Sequence, residues 1–68
     1  MFKKVINDPH VFNGKPILEG TLISVSFILW LLACGKSITE IITEYPDLSE
    51  EDIKTCLRYA AVTLKNAG

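Results

Sequence analysis

The residues of this chain whose types could do chemistry are few and scattered: His10, the cysteines Cys34 and Cys56, the triplets Gly14-Lys15-Pro16 and Gly35-Lys36-Ser37, and the acidic run Glu50-Glu51-Asp52. Nucleophilic catalysis requires a hydroxyl or thiol beside a base that a third group orients. His10 has no Ser, Cys or carboxylate placed to complete such a set, and it reads as a solvent-facing turn residue. The cysteines form no Cys-x-x-Cys and have no second pair, so they suggest neither a zinc site nor a disulfide framework. Both fall on apolar faces away from Lys and Arg clusters, the setting of buried structural thiols. Gly35-Lys36-Ser37 imitates the end of a phosphate-binding loop, but the first Gly of that motif would fall at Trp30, and the triplet follows a helical pattern instead of a strand. In Gly14-Lys15-Pro16 the proline removes a backbone donor where a phosphate cradle needs one. Helix capping explains the acidic run without a metal, because negative charge is stabilised in the first turn of a helix. No catalytic, cofactor-binding or metal-ligating residue is expected, and the chain reads as a non-enzyme.

Nucleic-acid contact is the remaining chemistry. Lys54 and Arg58, one helical turn apart with Thr55 beside them, form a credible contact set, to which an amino-terminal arm could add Lys3 and Lys4. Charge placement works against it. The net charge is −1, but the front half of the chain is mildly basic and the back half acidic. Glu50, four residues before Lys54, partly neutralises it, and Glu50 and Glu51 occupy the turn that would approach the phosphates of a major groove.

These side chains must be positioned by two kinds of element. Residues 1–24 form an extended arm: Pro9, Gly14, Pro16 and Gly20 interrupt every helical window, and Lys4-Val5-Ile6, His10-Val11-Phe12, Pro16-Ile17-Leu18 and Thr21-Leu22-Ile23 have the composition and length of short strands. Asn13-Gly14 is the sharpest turn signal between them, since both residues tolerate positive φ. Residues 25–68 form a three-helix unit. Ser24 or Ser26 caps a first helix that ends at Ala33 or Cys34 before Gly35. Ser37 and Glu40 form a capping box ahead of Ile38, Ile41, Ile42 and Tyr45, and Pro46 closes that second helix. Ser49 and Asp52 form another box, stapled by Leu48 and Ile53, and the third helix directs Ile53, Cys56, Leu57, Ala60 and Leu64 inward before fraying near Asn66-Ala67-Gly68. The turn from Tyr45 to Leu48 fits a helix-turn-helix, and it equally fits a plain three-helix bundle.

The first helix is apolar on all sides, from Phe27 through Cys34. Such a helix requires cover all round. It is too short to span a membrane, which needs about 20 apolar residues. No secretory leader pattern is present, so the chain is expected to be cytoplasmic. A domain of 68 residues, 49% of them hydrophobic, has few elements with which to enclose one helix. A fully enclosed core helix and a subunit interface are the two readings, and the second is preferred: a homodimer contact built on Phe27, Trp30, Leu31 and Cys34, with Trp30 as its anchor.

The run Asp8-Pro9, Gly14-Lys15-Pro16-Ile17, Gly20-Thr21, Ile23, Val25, Ile28-Leu29, Gly35, Tyr45-Pro46-Asp47-Leu48 and Tyr59-Ala60 resembles the bacterial domain of unknown function 433 family over about residues 5–61. The resemblance implies a mainly α, homeodomain-like helix-turn-helix bundle preceded by short strands and often dimeric. It also implies kinship with VapB-type antitoxins, which silence a toxin, here of the PIN-like nuclease class, and bind their own operator DNA as dimers. Leu22 stands where the family usually has Arg, and Ser24 where it commonly has Pro, so the contact that such a guanidinium makes is missing here. Two functions follow: an antitoxin-like regulator that binds a PIN-like toxin and operator DNA through Lys3, Lys4, Lys54, Thr55 and Arg58, or an oligomerisation and protein-interaction module that never touches DNA.

Overall fold

The computed structural model describes residues 3–67. A two-stranded antiparallel sheet precedes three helices. Strand β1 (Val5–Asn7) pairs with β2 (Pro16–Leu18), with Ile6 opposite Ile17. Helices α1 (Val25–Ala33), α2 (Ile38–Glu44) and α3 (Glu50–Ala67) follow. The protein is therefore mainly α, with a short amino-terminal sheet, as the spacing of turn residues and apolar positions predicts.

Of the four strand-like runs, two pair as strands and two do not. His10-Val11-Phe12 runs into a 3-10 turn over Phe12–Gly14, and Thr21-Leu22-Ile23 forms a bend whose last step brings Ser24 beside Ile17 in an isolated bridge. The reason lies in the backbone: positive φ begins at Phe12 (48°) and continues through Asn13 (56°) and Gly14 (82°), which curls the chain before a strand can form. Asn13-Gly14 is thus a turn, as its composition predicts, but the turn reaches back one residue further than the pair itself.

Each helix is delimited by the groups that its sequence supplies. The Ser24 hydroxyl accepts the Phe27 N–H at 3.1 Å and starts α1. Gly35, with φ +95°, ends it: the Gly35 N–H donates to Leu32 and the Lys36 N–H to Leu31, the paired bonds of a Schellman motif. In α2 the predicted capping box is complete, Ser37 receiving the Glu40 N–H while the Glu40 carboxylate receives that of Ser37. At α3 the same reciprocal pair joins Ser49 and Asp52, at 3.3 and 2.9 Å.

Asp52 does more than cap. It is fully buried, and besides the Ser49 N–H it accepts the Lys3 backbone N–H at 2.6 Å and the Lys3 ammonium at 3.3 Å. The same ammonium donates to the Asp47 carbonyl. One carboxylate thereby fastens the amino-terminal arm to the start of α3.

The core is assembled from every element except the 3-10 turn. Leu18, Val25, Ile28, Leu31, Ile41, Leu48, Ile53 and Cys56 form one buried cluster, with Val5, Ile23, Phe27, Ile38, Ile42, Tyr45 and Tyr59 among the half-buried residues around it. Leu57 and Leu64, predicted to face inward, are instead 43% and 72% exposed. Helix α3 has 18 residues, about 27 Å of rise, whereas α1 has nine. Past Tyr59 and Ala60 every described residue of the helix is exposed. The helix nevertheless continues through Ala67, past the expected fraying point; Gly68 lies outside the described residues.

Burial raises the pKa of the Asp52 carboxyl, but the Lys3 and Ser49 N–H groups and the Lys3 ammonium outweigh it, and the group is held below its ordinary value of 3.8. A depressed carboxylate contributes stability that is present above the ordinary value and is lost as pH falls through the lower, folded one. Asp52→Ala is therefore expected to destabilise the fold by about 2–4 kcal/mol at neutral pH. In urea titrations the wild type is expected to lose part of that increment as the pH falls below ~4, whereas the variant shows no matching loss.

Candidate functional site

Helix α1 divides its apolar surface between the core and the outside. Val25, Ile28 and Leu31 are buried. Trp30 points the other way and is 60% exposed, with Ala33 and Cys34 exposed beyond it. Of the four residues expected at a subunit interface, Leu31 belongs instead to the chain's own core, while Phe27 is half-buried and Trp30 and Cys34 lie on the surface. Phe27, Leu29 and Leu32 are half-buried against the core as well, so the uncovered strip of the helix is that of Ser26, Trp30 and Ala33, with Cys34 beyond.

Beside that face runs a groove that the sequence reading did not find. At one end a depression of about 380 Å³ is lined by Phe12, Leu22, Ile23, Ser24, Phe27 and Tyr45. The Phe27 and Tyr45 rings meet edge to face at 5.8 Å, a favoured aromatic geometry that joins α1 to the end of α2. At the other end a depression of about 320 Å³ is lined by Phe12, Asn13, Lys15, Ser24 and Ser26. Phe12 and Ser24 belong to both, so the two adjoin. Leu22, 73% exposed, gives the first end an apolar lip where the family resemblance leads one to expect an arginine. Phe12 is held at φ +48°, a conformation that strains a bulky residue by roughly 1–3 kcal/mol. The turn that holds it is closed by bonds from Val11 to Asp8, Gly14 to Val11 and Lys15 to Phe12 along the backbone, and from the Asn7 amide to the Gly14 carbonyl. The only sequence signal for this site was the Asn-Gly turn; that an aromatic would be presented by it depends on φ at Phe12.

The residues read as a nucleic-acid contact set are placed differently. Lys54 pairs with Glu50 at 3.0 Å and Arg58 with Glu51 at 3.3 Å. The Thr55 hydroxyl donates to the Glu51 carbonyl. Glu50, accepting a hydrogen bond from Lys54, holds that ammonium's pKa above its ordinary value. Lys3 is committed to Asp52 and Asp47, and Lys4 is exposed in the arm. The exposed acids Glu50 and Glu51 stand at the helix start beside these cations.

The comparisons with known proteins add one result. The profile described as "Protein of unknown function (DUF433)" matches residues 5–60, most of the chain. The chain belongs to the DUF433 family. No curated protein and no solved structure gives a significant match. On the DUF433 structure the matched span begins at Val5, the first residue of β1, and stops at Ala60, where the packing of α3 also stops. The family pattern and the packed part of the fold are therefore nearly the same set of residues.

Among the described residues of this DUF433 protein, no group of three or more His, Cys, Asp or Glu is arranged to hold a metal ion, and no helix is long and apolar enough to cross a membrane. His10 is exposed in the turn after β1, its backbone N–H donating to the Asp8 carboxylate. The two thiols differ, contrary to the expectation that both are buried. Cys56 lies in the core, where burial and then the Asp52 charge push its pKa up to about 11. Cys34 is exposed, because it follows the last turn of α1 on the uncovered side. In dilute, monomeric samples a disulfide reagent at pH 8 is expected to modify one thiol per chain, at Cys34, and to reach Cys56 only after denaturation. Rapid modification of both in the native protein would contradict this arrangement.

Proposed function

We propose that this chain is a non-enzymatic, antitoxin-like interaction protein that works by docking other protein chains. The apolar outer face of α1, from Phe27 through Trp30 to Cys34, takes a second copy to give a homodimer. The dimer binds a partner of the PIN-like nuclease class that the family resemblance implies. One observation carries the reading: Trp30 is 60% exposed in the middle of the uninterrupted apolar run from Phe27 to Cys34. A large aromatic at the centre of an apolar patch is a residue type enriched at contacts that dominate binding.

Protein contact stands ahead of operator DNA in this proposal. Of the five residues first considered for phosphates, Lys3, Lys54 and Arg58 are paired with acids of the same chain. Phosphate binding through Lys54 and Arg58 would bring Glu50 and Glu51 toward the same backbone, where like charge opposes it.

Trp30→Asp is expected to leave the circular dichroism spectrum nearly unchanged, because the ring lies mostly outside the core, and to lower the melting temperature only by the contribution of the lost subunit contact. It is expected to convert the dimer to a monomer in sedimentation at micromolar concentration. A wild-type protein that sediments as a monomer would contradict the dimer. In gel shifts at low salt, the DNA upstream of the protein's own gene is expected to run unretarded. Retardation that Lys54→Ala and Arg58→Ala remove would instead establish the operator-binding regulator.

A further inference from the structure

We infer that the groove around Phe12 binds a short segment of a partner protein that carries a large apolar side chain next to a carboxylate. The inference rests on the docking function proposed above and specifies what the partner presents.

The groove is chemically divided. Leu22, Ile23, Phe27 and Tyr45 line one end, and Lys15 with the hydroxyl-bearing Ser24 and Ser26 lines the other. An apolar side chain gains free energy by leaving water at the first end, and a carboxylate finds an ammonium and one hydroxyl donor at the second, the Ser24 and Ser26 hydroxyls sharing a hydrogen bond that uses the other. The two ends adjoin through Phe12 and Ser24, so neighbouring residues of one extended segment, about 3.3–3.6 Å apart along the chain, reach both.

Charge selects the same occupant. Lys3, Lys36, Lys54 and Arg58 each pair with an acid of this chain, whereas among the described residues Lys4, Lys15 and Lys65 pair with none, and of these three Lys15 lines the groove. Lys15 lines a groove that has no carboxylate among its lining residues. A nucleic acid fits poorly, since a single cation beside an apolar floor offers little to a run of phosphates.

Backbone strain supplies the third argument. Phe12 sits in the left-handed region, half-exposed and outside the core cluster. The ring is absent from the core cluster and lines both depressions. A strained, hydrogen-bonded turn that displays an aromatic side chain is pre-organised for contact, and pre-organisation lowers the entropy lost on binding.

The test is selection of a random dodecapeptide phage library on the whole chain, followed by titration of the selected peptide in fluorescein-labelled form. The expected consensus places Leu, Ile, Phe or Trp beside Asp or Glu. Phe12→Asn, which keeps a residue tolerant of positive φ, is expected to weaken the peptide at least tenfold with no fall in melting temperature. Lys15→Glu is expected to weaken it similarly, and selection on that variant to return Lys or Arg in place of the acid. Failure to enrich a consensus, a consensus without the acid, or full binding by Phe12→Asn would overturn the inference. So would a dimer that Phe12→Asn splits, since the groove would then hold a second copy. If Trp30→Asp abolishes capture of a co-expressed PIN-like protein while Phe12→Asn and Lys15→Glu leave it intact, the docking function stands and the groove assignment falls. If none of the three variants affects capture, both fall.

Discussion

The carboxylate of Asp52 is the point at which the two halves of this protein are joined. A buried charge is tolerated only when its desolvation is offset, and here a helix cap, a backbone N–H from the arm and an ammonium share that task. The sheet contains only two strands, too few to stand by itself in water. Its attachment to α3 at Lys3 and its packing through Val5 and Leu18 onto the helices give it a fixed place. With the sheet fixed, β2 leads through Leu18 and the Ile17–Ser24 bridge into the cap of α1. The groove and the exposed face of α1 are both set by that succession.

The surfaces left over follow from the same economy of elements. A chain of this size covers one side of α1 and the first half of α3, and no more. The uncovered portions are unlike one another. The outer face of α1 carries a tryptophan beside a groove with aromatic walls, whereas the end of α3 projects past the packed region with Val62 and Leu64 exposed among polar and charged neighbours. The first is an apolar strip beside a groove with an apolar and a polar end; the second is a projecting helix end beyond the residues that the family pattern covers.

Much of the fold was legible because its boundaries are drawn by local chemistry. Ser37 with Glu40, Ser49 with Asp52, Gly35 as a left-handed stop and Pro46 after Tyr45 act over three or four residues, so their consequences can be read from spacing. The strands were less legible. His10-Val11-Phe12 has strand composition, but a turn three residues long overrode it. The inward face of α3 was legible at Ile53 and Cys56 and failed at Leu57 and Leu64, because periodicity reports which residues share a face and not where the neighbouring helices end. The candidate site was legible in part: Trp30 and Phe27 stood out as surplus apolar residues, while Phe12, Lys15 and Tyr45, distant in sequence, gave no sign that they line one groove.

By itself, then, the sequence determined three capped helices after a turn-rich arm, an excess of apolar side chains in α1, and membership of a family whose pattern ends near Ala60. These are properties of neighbouring residues or of a linear pattern. Tertiary structure alone decided that Lys3 is a partner of Asp52 and not a free basic arm, that Leu31 faces the core while Trp30 faces out, and that a strained Phe12 divides an apolar pocket from a cationic one. Each of those outcomes depends on which distant group arrives within about 3–4 Å of another, the range over which hydrogen bonds and dispersion act.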